Sequence, residues 1–397
     1  MSSYKIIISG GGTGGHLFPA LSIANELKHR FPDADILFIG AENRMEMEHV
    51  PNAGYRVIGL PVSGFNRKNP LKNVRVLVRL LKSLRIAKKI IRDFKPDVAI
   101  GVGGYASGPT LWMASSFRIP VLIQEQNSFA GMTNKLLGKR ASKICVAYQG
   151  METCFPKDRI VITGNPVRKA LETICEKSEE AFNFFGLEPG KPVLLVLGGS
   201  LGARTVNQSI RNGLTTLVDA GIQVIWQTGK INYDLGNDER NESRGRLRTM
   251  PREKEFFSRS EKIRDYEFGN GVWIAGFISR MDYAYSVADL VVSRAGAGTL
   301  SELCLLKKPV VLVPSPNVAE DHQTKNARAL SDYGAAVYIP DSEAVDRLIP
   351  TSLELLKNKE RLQELSDNIA GFAQYKSAER IVDEVVQLFI NKEDEHP

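Results

Sequence analysis

At 397 residues the chain exceeds what one ordinary core organises and suits two domains. Hydrophobic residues at 43%, charged residues at 24% and the lack of any apolar run near roughly 20 residues exclude a membrane-spanning chain. The formal charge of +7 leaves nucleic acid, an anionic membrane surface or an anionic small substrate as partner classes, to be decided by where the charge sits.

The first segment, "YKIIISGGGTGGHLFPALSIANEL", is an apolar strand, a glycine loop and a helical pattern. No charged, apolar and small-residue succession of a secretory signal precedes it, which fits a bacterial-type cytoplasmic enzyme. Gly10-x-Gly12-x-x-Gly15 has dinucleotide-binding spacing, for which Glu42, soon after the second apolar run at 36–39, would be the ribose-holding acid. His16 lies at the helix start, where the dipole disfavours a further positive charge and favours a neutral imidazole able to accept a proton. The alternative is that His16 caps or packs. Asp33-Ala34-Asp35 is a DxD pair, but it precedes a strand instead of ending one and reads as a turn. No catalytic metal is therefore expected.

Residues 67–95 hold eleven Lys and Arg against Asp93 alone, a net +10 that exceeds the charge of the whole chain. On a helix, Arg75, Arg79, Lys82, Arg85, Lys89 and Arg92 form one stripe, and Leu77, Leu80, Leu81, Leu84 and Ile91 an apolar face. Such a helix suits an anionic membrane surface; a core-facing helix with a solvated basic back is the alternative. Nucleic acid is disfavoured, because Phe94, next to the end of the stretch, is its one aromatic residue after Arg67 and none interleaves the stripe itself.

Three further strand, glycine and helix units begin at Val98, Val193 and Leu290, with candidate strands at 121–124, 144–147, 224–227 and 310–313. This is the order of parallel sheets covered by helices, and the units at Ile6 and Val193 open two doubly wound domains facing one cleft. The boundary falls near "TGNPVRKALE" at Pro166. Residues 234–267 form a charge-dense surface insertion. In "SRAGAGTLSEL", Gly296 to Thr299 open a helix whose amides suit a pyrophosphate, and Glu302, placed in the first turn, either holds ribose hydroxyls or closes a capping box. "GGSLGAR" adds Ser200 to the same anion site, and "EDHQTKNARAL" groups Asp321, His322, Gln323 and Asn326 as readers of sugar hydroxyls or as a polar helix start. Cys145, Cys154, Cys175 and Cys304 lack zinc or redox spacing and read as buried thiols.

"GGGTGGHLFPALSIANEL", "GVGGYASGP", "QEQNSFAGMTNKLL", "TGNPVR", "GGSLGAR", "SRAGAGTLSEL" and "EDHQTKNARAL", in this order, resemble the MurG family over nearly the whole chain. The insertion is longer than the family leads one to expect. The resemblance implies an α/β GT-B fold of two Rossmann-like domains. Residues 1–166 would bind acceptor and membrane, residues 167–375 the donor, and a last helix at about 376–392 would pack back on the first. It implies inverting transfer of N-acetylglucosamine from UDP-N-acetylglucosamine to the 4-hydroxyl of MurNAc in lipid I, giving lipid II for peptidoglycan synthesis. The enzyme would act without cofactor or metal as a peripheral protein on the cytoplasmic face of the bacterial inner membrane, in company with other cell-wall proteins.

By the same resemblance Thr13, Gly14, Gly15, Asn127, Arg168, Ser200, Ile278, Ala297, Gly298, Thr299, Leu300, Ser301, Glu302 and Gln323 contact the donor. Within that set the Ile278 backbone recognises uracil, Glu302 the ribose and Gln323 the sugar. Gly14, Gly15, Gly103, Gly104 and Tyr105 cradle the acceptor pyrophosphate, and Arg75, Arg79, Lys82 and Arg85 meet the membrane. His16 is the candidate base, with Glu125 or a relay as the alternative. The rival activities are a UDP-N-acetylglucosamine epimerase on a related scaffold, an NAD-dependent oxidoreductase using the first glycine loop, and a membrane-docked nucleotide sensor.

Overall fold

The computed structural model describes residues 4–64, 73–167, 171, 177–199, 202–229, 266–268, 271–318 and 321–394. Arg67, Lys68, Arg168, Cys175, Ser200 and nearly all of the 234–267 insertion lie outside the described residues. The chain divides into two compact units, 1–168 with 374–397, and 169–373.

The first unit runs β1 (Lys5–Ser9), α1 (Gly14–Arg30), β2 (Asp35–Ala41), α2 (Glu46–Asn52), β3 (Arg56–Leu60), α3 (Asn73–Phe94), β4 (Val98–Gly101), α4 (Ser107–Ser116), β5 (Val121–Glu125), α5 (Met132–Gly138), β6 (Lys143–Val146) and β7 (Ile160–Ile162). Among the described residues its strands form one sheet in the order β3-β2-β1-β4-β5-β6-β7, parallel throughout. Continuous Ile and Val runs suit such strands because both faces are covered. In β1, Ile6 and Ile8 enter one core and Ile7 the other, the period-two alternation of a pleated strand. Asp35 opens β2 and pairs with Arg56, so the DxD pair sits at the amino end of its strand.

The second unit runs α6 (Glu179–Phe185), β8 (Val193–Leu197), α7 (Arg204–Asp219), β9 (Gln223–Gln227), β10 (Tyr266–Phe268), β11 (Val272–Ala275), α8 (Met281–Val287), β12 (Leu290–Ser293), α9 (Ala297–Leu305), β13 (Val310–Leu312), α10 (His322–Ser331), β14 (Val337–Tyr338), α11 (Ala344–Lys357) and α12 (Lys359–Ala370). The sheet order is β10-β11-β9-β8-β12-β13-β14, parallel except for the antiparallel β10–β11 pair. Ser178 caps α6 by accepting from the Ala181 amide at 3.1 Å, and Gly186, at φ 65°, ends it in the left-handed region.

The last helix, α13 (Ser377–Asp394), belongs to the first unit. Ile381, Val382, Val385, Leu388 and Phe389 complete the core shared by β1 and α1, and Phe389 stacks on Tyr4 with centroids 4.1 Å apart. Cys145 and Cys304 are buried, which pushes the Cys145 thiol up and the Cys304 thiol up to about 12. Cys154 departs from expectation in being only half-buried.

The apolar face expected of α3 is divided. Ile91 is buried and Leu80 and Leu84 are half-buried, but Leu77 and Leu81 are 53% and 49% exposed and share an outward strip with exposed Val74 and Val78. Arg75, Arg79, Lys82 and Arg85 are also exposed. The i, i+3, i+4, i+7 spacing of Val74, Leu77, Val78 and Leu81 is a second apolar stripe, which the sheet does not cover. No helix among the described residues is long and apolar enough to cross a membrane.

Candidate functional site

In each unit the strand order reverses between the opening strand and its neighbour, β1 beside β4 and β8 beside β12. Ligands of open parallel sheets collect at the carboxyl ends of the strands beside such a switch point. Many of the described residues singled out in the sequence lie in the loops at these strand ends, one group in each unit.

In the first unit the loops after β1, β4 and β5 come together. Thr13 precedes α1 with extended backbone, and its hydroxyl meets His16 Nδ1 at 3.1 Å instead of capping a backbone amide. His16 is half-buried. The helix's first amides, at Gly14 and Gly15, have no acceptor within the helix and suit an anion. The glycines of the β4 loop permit close approach. A Cβ on Gly103 would stand 2.8 Å from His16 Nε2, and one on Gly104 2.4 Å from the Gly11 carbonyl oxygen, both at positive φ. Ser107 braces this turn by donating to the Ser9 and Gly103 carbonyls at 2.8 and 2.9 Å. Tyr105 is 55% exposed beside it.

Two buried carboxylates shape these loops. Glu46, 1% exposed, accepts from the Gly12 amide at 2.9 Å and the Ala41 amide at 2.8 Å, tying the glycine loop to the end of β2. Glu42, expected to be the acid at that strand end, is exposed, and its amide extends the β2–β3 pairing through the Leu60 carbonyl. The acid at this place is therefore turned onto the protein's own loop instead of onto a ribose. Glu46→Gln keeps the volume but offers one acceptor to two amides. It should cost about 1–3 kcal/mol of unfolding free energy, and an unchanged denaturation midpoint would show that the carboxylate does not hold the loop.

Glu125, 2% exposed at the end of β5, accepts from the amide and side chain of Asn127, both at 3.1 Å, from the Gly131 amide at 3.2 Å and from Asn134 Nδ2 at 2.9 Å. Four donors on two oxygens make it the clamp of the 126–131 loop, a task at odds with that of the alternative base. Beneath it, Gln124 donates to Asn165 Oδ1 at 2.8 Å, Asn165 to the Gln126 carbonyl at 2.9 Å, and Gln126 to Gln124 Oε1. This closed ring of buried amides holds Asn165 against the end of β5.

In the second unit Gly198 and Gly199 end β8, and Gly296, in extended backbone, is the N-cap of α9. Ala297, Gly298 and Thr299 are thus the first three helical residues, and Glu302 is the sixth. A capping-box glutamate belongs at the third, so that alternative is removed and the first-turn placement is corrected. Glu302 instead accepts from the hydroxyl of fully buried Tyr285, at 2.9 Å. Leu300 lies wholly in the core and has only its backbone to offer a ligand, and Ser301 donates to the Ala297 carbonyl at 3.1 Å.

Ile278, after β11, also has its side chain in the core, and its amide donates to Gln227 Oε1 at 3.1 Å. Gln323 Oε1 accepts from the Ser315 amide at 2.8 Å, which orients this side chain at the start of α10. Asn326 is fully buried and donates to the Ala295 carbonyl at 3.2 Å, so it shapes the loop before α9 and does not read sugar. Arg294 donates to the Val313 and Pro314 carbonyls and pairs with Asp341, joining the ends of β12 and β13. Among the described residues no cluster of three His, Cys, Asp or Glu could hold a metal.

Residues 6–146 match the glycosyltransferase family 28 N-terminal domain and residues 193–381 the family 28 C-terminal domain. The chain belongs to glycosyltransferase family 28. It is 60% identical over 392 residues to the UDP-N-acetylglucosamine–N-acetylmuramyl-(pentapeptide) pyrophosphoryl-undecaprenol N-acetylglucosamine transferase of Parabacteroides distasonis, covering 99% of this chain and 100% of that one. Among solved structures it is similar to Acinetobacter baumannii MurG, with a TM-score of 0.73 at 25% identity over 97% of this chain and 99% of that one. A UDP-N-acetylglucosamine 2-epimerase shares the fold alone, with a TM-score of 0.62 at 14% identity over 97% and 96% of the two chains. The two α/β units of this family 28 chain are those of a GT-B fold, and it is a glycosyltransferase.

Sequence reasoning missed two buried residues that bond to the residues it singled out, Glu46 and Tyr285. The dinucleotide pattern asks for an acid near the end of β2 and so points to within four residues of Glu46. Tyr285 carries no motif signal.

Proposed function

We propose that the chain transfers N-acetylglucosamine from UDP-N-acetylglucosamine, with inversion, to the 4-hydroxyl of MurNAc in undecaprenyl-pyrophosphoryl-MurNAc-pentapeptide, forming lipid II. The observation that carries this is the end-to-end match, at 60% identity, to a transferase whose name states donor and acceptor. In the reaction the 4-hydroxyl oxygen bonds to the sugar's anomeric carbon, the bond to the β-phosphate oxygen breaks and UDP leaves with that electron pair. The hydroxyl proton passes to a base.

His16 is that base. Thr13 Oγ1 lies 3.1 Å from His16 Nδ1, and in the tautomer that carries its proton on Nδ1 the base acts through Nε2. The Gly14 and Gly15 amides, with Gly103, Gly104 and Tyr105, bind the acceptor's pyrophosphate, and Asn127, oriented by Glu125, contacts the donor. In the second unit the start of α9 receives the negative charge that develops on UDP, so the residues present can stabilise the leaving group themselves. Glu302 binds the ribose, the Ile278 carbonyl accepts from the uracil imide, and Gln323 binds the sugar. The test is transfer of labelled sugar from UDP-N-acetylglucosamine to a short-chain lipid I analogue. Release of free epimerised nucleotide sugar in place of a lipid-linked disaccharide would overturn the reading.

The acceptor is a lipid, so the enzyme works at the inner membrane's cytoplasmic face. The outward strip of α3 meets that surface, with Val74, Leu77, Val78 and Leu81 entering the headgroup layer and the neighbouring Arg and Lys pairing with anionic lipid. Replacing Arg75, Arg79, Lys82 and Arg85 with Gln should remove about 1 kcal/mol per charge and weaken binding to phosphatidylglycerol vesicles by about 10²- to 10³-fold at low salt, with donor KM unchanged. Unchanged vesicle binding would remove α3 from the docking surface.

A further inference from the structure

We infer that Tyr285 is a positioning residue for the donor's ribose, acting through Glu302; the inference rests on the reading of Glu302 as the ribose ligand. Tyr285 lies on α8, fully buried and packed in one core with Met281, Ala284, Leu300 and Leu303. A phenol hydroxyl in such surroundings is costly unless it is bonded. Here it donates to Glu302 Oε2 at 2.9 Å, across 17 residues of sequence. A phenylalanine would fill nearly the same space with no polar atom to satisfy, so packing alone does not call for the hydroxyl.

The carboxylate does call for it. Glu302 is half-buried on α9, and its side chain has three torsions to be ordered. A cis-diol is best held by a carboxylate whose plane is fixed before the ligand arrives, because an ordered group loses less freedom on binding. Holding Oε2 from the core side stops rotation about the last torsion and so sets the direction of the other oxygen. The same short helix begins three residues after Ile278, so one element carries both the backbone assigned to uracil and the phenol that sets the ribose ligand.

The experiment compares UDP-N-acetylglucosamine with its 2′-deoxyuridine analogue in the full chain, in wild type, Tyr285→Phe, Glu302→Ala and the double variant. Wild type should prefer the ribose donor by about tenfold or more in kcat/KM, since a site built around a hydroxyl discriminates against its loss. Tyr285→Phe should raise KM for the ribose donor by about tenfold with kcat within about twofold, and should narrow the preference to roughly threefold or less. In the Glu302→Ala background the tyrosine change should have no further effect on preference, which excludes a purely structural cause. An undiminished preference in Tyr285→Phe, or an equal loss for both donors, would overturn the inference and leave the ribose role of Glu302 standing. Absence of preference in wild type would overturn that role, and the inference with it.

Discussion

His16→Ala should lower kcat for sugar transfer by about 10²- to 10⁴-fold, the range that a positioned general base contributes, with donor KM little changed. The geometry gives the reason. One ring nitrogen meets the Thr13 hydroxyl at 3.1 Å, which sets the orientation of the imidazole, and the other lies beside the backbone of Gly103 at the end of β4. The imidazole is thus held at the loops assigned to the acceptor, and it is half-buried, so its removal opens no large cavity in the core. The thermal midpoint should move by no more than a few degrees. A loss of activity below about threefold in a folded variant would leave His16 as scaffolding and return the search to a relay, because the oxygens of Glu125 are already engaged by four donors.

Gly104→Ala should cost about 2–5 kcal/mol of unfolding free energy. Two effects act together. The residue sits at φ +87°, where a side chain clashes with its own backbone, and the new Cβ would stand 2.4 Å from the Gly11 carbonyl oxygen. The obstructing atoms belong to a neighbouring loop's main chain, so no rotamer change relieves them, and both glycine loops must part. Sugar transfer should fall with stability, because the loop that separates from Gly104 is the one that carries Thr13 to Gly15. Urea unfolding with an unchanged midpoint would show that the two loops have slack between them.

The parallel sheets were legible because buried strands here are continuous Ile, Val and Leu runs that end in glycines. β1, β4, β8 and β12 all announce themselves in this way. β3, β7, β10, β11 and β14 did not. Four of these are edge strands and β11 pairs with one; three have three residues or fewer, and β3 is partly exposed, so the apolar run is short or diluted towards the sheet's edge. Residues in the glycine motifs could be named because backbone constraint leaves a local pattern. Glu46 and Tyr285 act across 34 and 17 residues of chain, through folded contacts that leave no periodicity in sequence. The division of the α3 face was not legible, because helical spacing shows which residues share a face but not how much of that face the sheet covers.

The return of α13 to the first unit bears on synthesis. As the chain leaves the ribosome, Tyr4 and the apolar side of β1 appear first, yet their aromatic and aliphatic partners, from Ile381 to Phe389, appear last. The second unit, residues 169–373, is uninterrupted in sequence and can complete its core while the first is still missing a helix. The unit begun first is thus finished last, and during the interval the part of this core that α13 covers, beside α1, stays open to water and to other nascent chains. A stop codon near residue 374 would remove the closing helix from the half of the molecule farthest from it in sequence.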